Sequence, residues 1–399
     1  MNNRLVPANG VTALIRGPHR GFRRALARLA TTGCIAGTLL AGATAGAAAP
    51  VPTKARNVIL FLGDAGGVST VNAAGILAHN KPQSLFIQSM PYVGLSDTSS
   101  LNRWVTDSGA GMTAIMTGAK TNNSMVSVLP ADGAGPVKPL KTVLEYAEQR
   151  GLSTGVITNM KIWDATPAAC YAHVASRKDK DEIFRQMLAP RFGNGVDILV
   201  GKGQADAVAS FAKGPRTAEQ AFTAAGYKFG TEPALVGEAD RAVVLRDEDF
   251  APIPAVEAAI GQLSRNPKGY FLMVEWDMHT SNPDKGLRHV VEMDEMIRRI
   301  SAVAGKDTLI LFTADHSFGL RMSGGQRNAP LADQYAAEAA KPGVTVATNA
   351  VMSVQATHTG EEVIAAASGP GAEQVHGFFA NARLFDVMLG AYGWKPEPK

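Results

Sequence analysis

The chain has 399 residues, with 39 Lys+Arg against 35 Asp+Glu and a formal net charge of +4. Six of the arginines (Arg4, Arg16, Arg20, Arg23, Arg24 and Arg28) fall in the first 49 residues, which hold no acid; without them the balance is 33 against 35, a net of −2. The basic pI is therefore largely a property of the leader and gives no reason to expect a nucleic-acid partner.

An apolar run rich in Ala and Gly follows those arginines, from about Leu29 to Ala49, with Ala45-Gly46-Ala47 and Ala47-Ala48-Ala49 as small-residue exits. This is the layout of a secretory signal peptide over residues 1–49, and it implies a periplasmic or secreted protein. Pro50 disfavours a cut directly after Ala49, so cleavage a few residues earlier is expected. A retained membrane anchor is the competing reading, weakened by the Gly and Thr in the run. Arg23-Arg24 hints at a twin-arginine route, leaving Sec against Tat export open. Cys34 lies early in the apolar run instead of closing it, which argues against a lipoprotein. Residues 50–399 keep a single cysteine, Cys170, so no intrachain disulfide is available. They are long enough for a large core and read as one catalytic domain.

Short apolar or β-branched runs recur along that domain: Asn57 to Leu62, Thr154 to Ile157, Asp197 to Val200, Tyr270 to Val274, Thr308 to Phe312 and Val363 to Ala366. Continuous runs of this kind suit strands buried on both faces of a parallel sheet. Helix-like patterns lie between them, at Leu140 to Gln149, Lys180 to Leu188, Ala255 to Leu263 and Gly286 to Val303. The alternation predicts an α/β three-layer sandwich, with a mostly parallel central sheet and helices on both faces. The stretch from about Ser317 to Asn349 lacks strong strand runs and reads as an excursion, helical around Leu331 to Ala340.

Ligands of such sheets sit beyond the carboxyl ends of the strands. The residues found there are Asp64, then Asn159 and Asp164-Ala165-Thr166-Pro167, then Glu275, Asp277 and His279, then Asp315-His316; His358 precedes the last strand. Each has a bland explanation alone, as a turn residue, a helix cap or a structural histidine. Together they would converge on one edge of one sheet, which points to a multi-metal site. Mixed carboxylate and imidazole sets suit zinc, and oxygen-only sets suit magnesium. Side chains alternate along a strand, so Glu275, Asp277 and His279 are expected to share a face. Asp277 and His279 would be ~7 Å apart along it and able to converge on one ion, whereas Glu275 and His279 would be ~13 Å apart.

The second chemical signal is Val105-Thr106-Asp107-Ser108-Gly109-Ala110-Gly111. Asp107 or Ser108 can cap a small-residue helix. A serine at a helix start also faces unpaired N–H groups and the positive end of the dipole, which favour an alkoxide and then a phosphate.

The segment from Thr106 to Thr121 resembles the nucleophile segment of the alkaline phosphatase family. Phe61-Leu62-Gly63-Asp64, Asp164 to Ala169, Ser176-Arg177-Lys178, Thr313 to Ser317 and His358-Thr359-Gly360 are similar to the family's other motifs and come in its order. The resemblance implies a phosphate monoester hydrolase working through a phosphoserine on Ser108, with two zinc ions and one magnesium. By position, Asp64, Asp315 and His316 are implied for the zinc beside Ser108, and Asp277, His279 and His358 for the second. Asp64, Thr166 and Glu275 are implied for magnesium, with Asp164 ordering its waters, and Arg177 for gripping phosphate. Small phosphate monoesters are the implied partners, with no nucleic acid and no stable membrane anchor. A homodimer is left open, since the domain is shorter than many members.

The chain departs from the family in two places. The second-zinc residues are compressed to Glu275-x-Asp277-x-His279, where the family spaces them more widely, so assignment within that trio stays open and His289 is a reserve ligand. Asp64 is followed by Ala65 where glycine is usual, which reads as a small change. His173 and His376 are expected to be structural or rim residues. The alternatives are a phosphodiesterase or sulfatase-like hydrolase of the same superfamily, and a metal- or phosphate-binding relative without turnover.

Overall fold

The structure, a computed structural model, describes residues 53–133 and 135–398. The leader expected over residues 1–49 lies outside the described residues.

A ten-stranded mixed sheet organises them. From edge to edge its strands are Gly377–Ala380, Tyr92–Asp97, Val363–Ser368, Thr308–Ala314, Asn57–Asp64, Tyr270–Asp277, Ser153–Lys161, Ile198–Lys202, Ala242–Arg246 and Lys228–Gly230. All run parallel except Val363–Ser368, which pairs antiparallel with both neighbours. The central strand Asn57–Asp64 is buried along its whole length. Its alternate residues feed two separate cores: Val58, Leu60 and Leu62 face one side, while Ile59 and Phe61 face the other. Burial on both faces is why the strand reads as an unbroken apolar run.

Helices Ser108–Thr117, Val143–Gln149, Lys180–Leu188 and Arg383–Tyr392 cover the first face. Val68–His79, Pro252–Leu263 and Pro283–Val303 cover the second. The three-layer α/β sandwich read from the sequence is the one observed. Among the described residues no helix is long and apolar enough to cross a membrane.

Three expectations need correction. The helix expected from Leu140 starts at Val143, because Thr142 accepts the backbone N–H of Glu145 and the Glu145 carboxylate accepts that of Thr142, a reciprocal cap that fixes the start. The excursion after His316 is not free of strands: Ser317–Met322 pairs antiparallel with Met352–Thr359 as a two-stranded arm. Helix Leu331–Ala339 lies between them. The third concerns Val363–Ser368, a strand as expected but reversed in direction. The arm delivers the chain back to the carboxyl edge of the sheet, and three residues leave no room for a crossover. The reversal places the residues before this strand at the edge where the parallel strands end. His358 consequently reaches the same rim as Asp64 and His316.

Candidate active site

Ser108 is the first residue of helix Ser108–Thr117, and Asp107 is its N-cap, accepting the N–H of Ala110 at 3.1 Å. That division of labour leaves the serine oxygen free of capping. Ser108 is 3% exposed, and its Oγ lies 3.2 Å from His316 Nε2. The helix can come this close because its first turn is small. A β-carbon on Gly111 would lie 2.5 Å from the Asp315 carbonyl oxygen, and one on Gly109 2.9 Å from that of Met125.

Two groups of side chains beside Ser108 have geometry suited to an ion. Ligand atoms of Asp64, Asp315 and His316 lie within 4.8 Å of one another, as do those of His279, His316 and His358. His316 Nε2 sits 3.3 Å from Asp64 Oδ1 and 3.7 Å from Asp315 Oδ2, and His279 Nε2 is 3.8 Å from the same Asp64 oxygen. The His316 and His358 rings stack with centroids 3.8 Å apart, and His358 Nδ1 donates to the Thr106 carbonyl at 3.0 Å. An oxygen-rich set adjoins them. Thr166 Oγ1 is 3.4 Å from Asp315 Oδ2, and Thr158 Oγ1 donates to Glu275 Oε2 at 2.5 Å.

The electrostatics are those of a crowded anionic centre. Burial, and then the charge of Asp64, pushes Asp315 up to about 6. The same two causes in the same order hold Glu275 well above the carboxylate range. His316 rises to about 9: burial opposes its charge, but Asp315 and Asp64 outweigh burial. Burial also works to raise Asp64, yet the imidazoles of His279 and His316 draw it below its ordinary value. His358 is lowered, by burial and then by His316.

Two buried oxygens of this site, Asp64 Oδ1 and Glu275 Oε1, have no hydrogen-bond partner among the described residues. Leaving a buried carboxylate oxygen unpaired is costly, and cations are the usual remedy. The donor chemistry fits: the mixed carboxylate–imidazole groups suit zinc, and Glu275, Thr166 and Asp64 suit a hard cation.

Opposite this centre, Arg177 is oriented by two carboxylates. Its NH1 donates to Asp107 Oδ2 at 3.1 Å and its NH2 to Asp164 Oδ1 at 2.7 Å. Burial would lower its pKa, but Asp164 and Asp107 raise it further, so the guanidinium stays charged. Asp164 also caps helix Ala165–Ala168, which carries Thr166.

Most of the site residues expected from the sequence are therefore neighbours. Within the trio only His279 belongs to an ion-suited group; Glu275 lies in the adjoining oxygen-rich set, and Asp277 Oδ1 is turned to His279. His289 joins neither group and bonds the Asp277 carbonyl through Nδ1 at 2.5 Å. His173 is buried between the Ser127 carbonyl and Glu145, a structural role, and His376 is exposed. Sequence reading missed Asp107 as an arginine holder, Thr158 as the partner of Glu275, and Asn159 as the partner of the Asp277 N–H. Thr158 and Asn159 carried a signal, their place just after a predicted strand.

A serine at a buried helix start, facing clustered carboxylates and imidazoles and an oriented arginine, defines a metal-binding hydrolase class. A family model described as alkaline phosphatase matches residues 55–214 and 243–347, and the chain belongs to the alkaline phosphatase family. It is 29% identical over 420 residues to the alkaline phosphatase of Escherichia coli K12, covering 86% of this chain and 87% of that one. Against alkaline phosphatase 4 of Bacillus subtilis it is 31% identical over 293 residues, covering 66% of this chain and 62% of the relative. The fold matches the structure of alkaline phosphatase from the Antarctic bacterium TAB5 with a TM-score of 0.69 at 23% identity, covering 86% of this chain and 99% of the other.

Proposed function

We propose that the protein hydrolyses phosphate monoesters through a covalent phosphoserine on Ser108, with two zinc ions and one magnesium. Asp64, Asp315 and His316 would hold the zinc nearer the serine, and His279 and His358, with Asp277 beside them, the second. Glu275, Thr166 and Asp64 would hold magnesium, with Asp164 at its rim. Bound there, the ions would supply positive charge that stabilises the serine alkoxide, the transferring phosphoryl group and the departing alkoxide.

The observation that carries this reading is Ser108 Oγ, 3.2 Å from Nε2 of His316, the residue common to both ion-suited groups. The serine oxygen attacks phosphorus in line with the leaving oxygen, forming one P–O bond as the other breaks. Water then attacks the phosphoserine, releasing phosphate and restoring the hydroxyl. Phosphoryl transfer is mostly positioning and charge stabilisation, and the buried, capped helix start supplies the positioning. Arg177 spends one donor on each of Asp107 and Asp164, which leaves three N–H groups of its planar fork for phosphate oxygens. A terminal phosphate has oxygens enough for both the fork and the ion-binding groups, which favours monoesters over diesters.

The test compares p-nitrophenyl phosphate with bis-p-nitrophenyl phosphate, on the wild type and on Ser108→Ala. A dominant monoesterase rate that disappears in the variant is expected; a faster diester reaction would overturn the monoester assignment. The arginine-rich leader supports export to the periplasm or secretion, and N-terminal sequencing of exported protein checks it.

A further inference from the structure

The end of strand Tyr270–Asp277 is held in an unusual way. Its ladder with Ser153–Lys161 stops at the pair Thr158 and Glu275. Past that point the Asp277 N–H has no strand partner on that side, and the side-chain oxygen of Asn159 accepts it instead, at 2.8 Å. The Asp277 carbonyl accepts a hydrogen bond from His289 Nδ1 at 2.5 Å, from helix Pro283–Val303. On the other side, the next residue, Met278, donates its N–H to the Asp64 carbonyl at 2.8 Å. The peptide on each side of Asp277 is thus fixed by a separate element.

The carboxylate so placed turns to its own chain. Asp277 Oδ1 accepts the His279 backbone N–H at 3.0 Å and His279 Nδ1 at 2.9 Å. This two-residue turn is possible only because the spacing is Asp-x-His. A bond from Nδ1–H to a carboxylate fixes the tautomer, leaving Nε2 as the nitrogen with a free lone pair. That nitrogen is the one facing Asp64, in the group that includes His316 and His358.

We propose that Asp277 is a positioning residue and not an ion ligand: it sets the tautomer and ring orientation of His279, and Asn159 and His289 clamp Asp277 in turn. The inference rests on the zinc reading of the site. It accounts for the compressed Glu-x-Asp-x-His spacing, since a carboxylate that reaches both the backbone N–H and the ring of its histidine through this local turn sits two residues before it. A carboxylate behind a metal-bound histidine raises its basicity, and loss of such a partner typically weakens binding about 10- to 100-fold.

The experiment measures zinc per chain, zinc affinity by chelator competition, and the absorption spectrum of the cobalt-substituted protein. The variants are Asp277→Asn, Asp277→Ala, His289→Ala and His289→Gln, each checked for folding by circular dichroism. Asparagine keeps an oxygen that accepts from Nδ1–H but is a poor zinc ligand. Asp277→Asn is therefore expected to keep the full zinc count and an unchanged cobalt spectrum, with a smaller loss of affinity than Asp277→Ala shows. Asp277→Ala and His289→Ala are expected to weaken one zinc about 10- to 100-fold. His289→Gln, which still donates an N–H, is expected to recover most of that loss. If Asp277→Asn releases an ion or shifts the cobalt bands as Asp277→Ala does, Asp277 is a ligand and the proposal is overturned. A wild-type protein without tightly bound zinc would instead overturn the metal reading beneath it.

Discussion

The Asp315 carbonyl oxygen occupies the place that a side chain on Gly111 would need, 2.5 Å from an ideal β-carbon there. The helix that starts at Ser108 and the strand end bearing Asp315-His316 are therefore in backbone contact, and that contact sets the distance from Ser108 to the ion-suited groups. Gly111→Ala must push them apart. We expect a loss of ~1–3 kcal/mol in stability from overpacking, read by denaturant melts. Turnover of p-nitrophenyl phosphate should fall on the order of 100-fold, because displacements near 1 Å are that costly at a positioned nucleophile.

Ala65 has φ of +72°, a left-handed conformation in the loop just after Asp64. The sequence suggested that alanine for glycine here is a small change; the backbone makes it a strained one. Its N–H faces Asp315 Oδ1 at 3.3 Å, so the loop cannot relax without disturbing the site. Ala65→Gly is expected to stabilise the protein by ~1 kcal/mol, with activity retained. Thermal melts of the two proteins check it, and a destabilised variant would contradict the strain argument.

Glu148, near the end of helix Val143–Gln149, accepts from Thr154 of strand Ser153–Lys161, and burial, then Glu145 and Asp197, raise it to about 8. The sign follows from proton uptake. Between the ordinary value of 4.5 and about 8 the folded protein holds a proton that the unfolded chain has released, so stability falls as pH rises through that window. Glu148→Gln should flatten this slope and add on the order of 2–4 kcal/mol at pH 9, with little change at pH 4. Denaturant melts across that range decide it.

Arg177 is held by Asp107, the N-cap beside Ser108, and by Asp164. Lysine at this position could not satisfy both carboxylates and grip phosphate as well. Arg177→Lys is expected to weaken inhibition by inorganic phosphate and lower kcat/KM about 10- to 100-fold, ~1.4–2.7 kcal/mol. Unchanged phosphate inhibition would exclude the contact.

Much of this site was legible because the fold and the chemistry meet at strand ends. Asp64 and Asp315-His316 follow unbroken apolar runs, and double-sided burial makes such runs easy to read. Arm strands Ser317–Met322 and Met352–Thr359 were missed, since they are partly exposed and carry polar residues that break the pattern. The direction of Val363–Ser368 was not legible either: its composition suits a central strand of either sense, and only the arm before it dictates reversal. Pairings such as Arg177 with Asp107, 70 residues apart, exist only once the chain is folded. Asp277 illustrates the same limit more finely, because its residue type fits both a ligand and a histidine's partner.

The central claim is that Ser108 carries the phosphoryl group during turnover. Rapid acid quench of the metal-loaded enzyme with substrate, followed by mass spectrometry of its peptides, tests this directly. Phosphate is expected on the peptide containing Ser108, absent without substrate and absent in Ser108→Ala. Steady turnover with no phosphorylated Ser108, or full activity in Ser108→Ala, would contradict it.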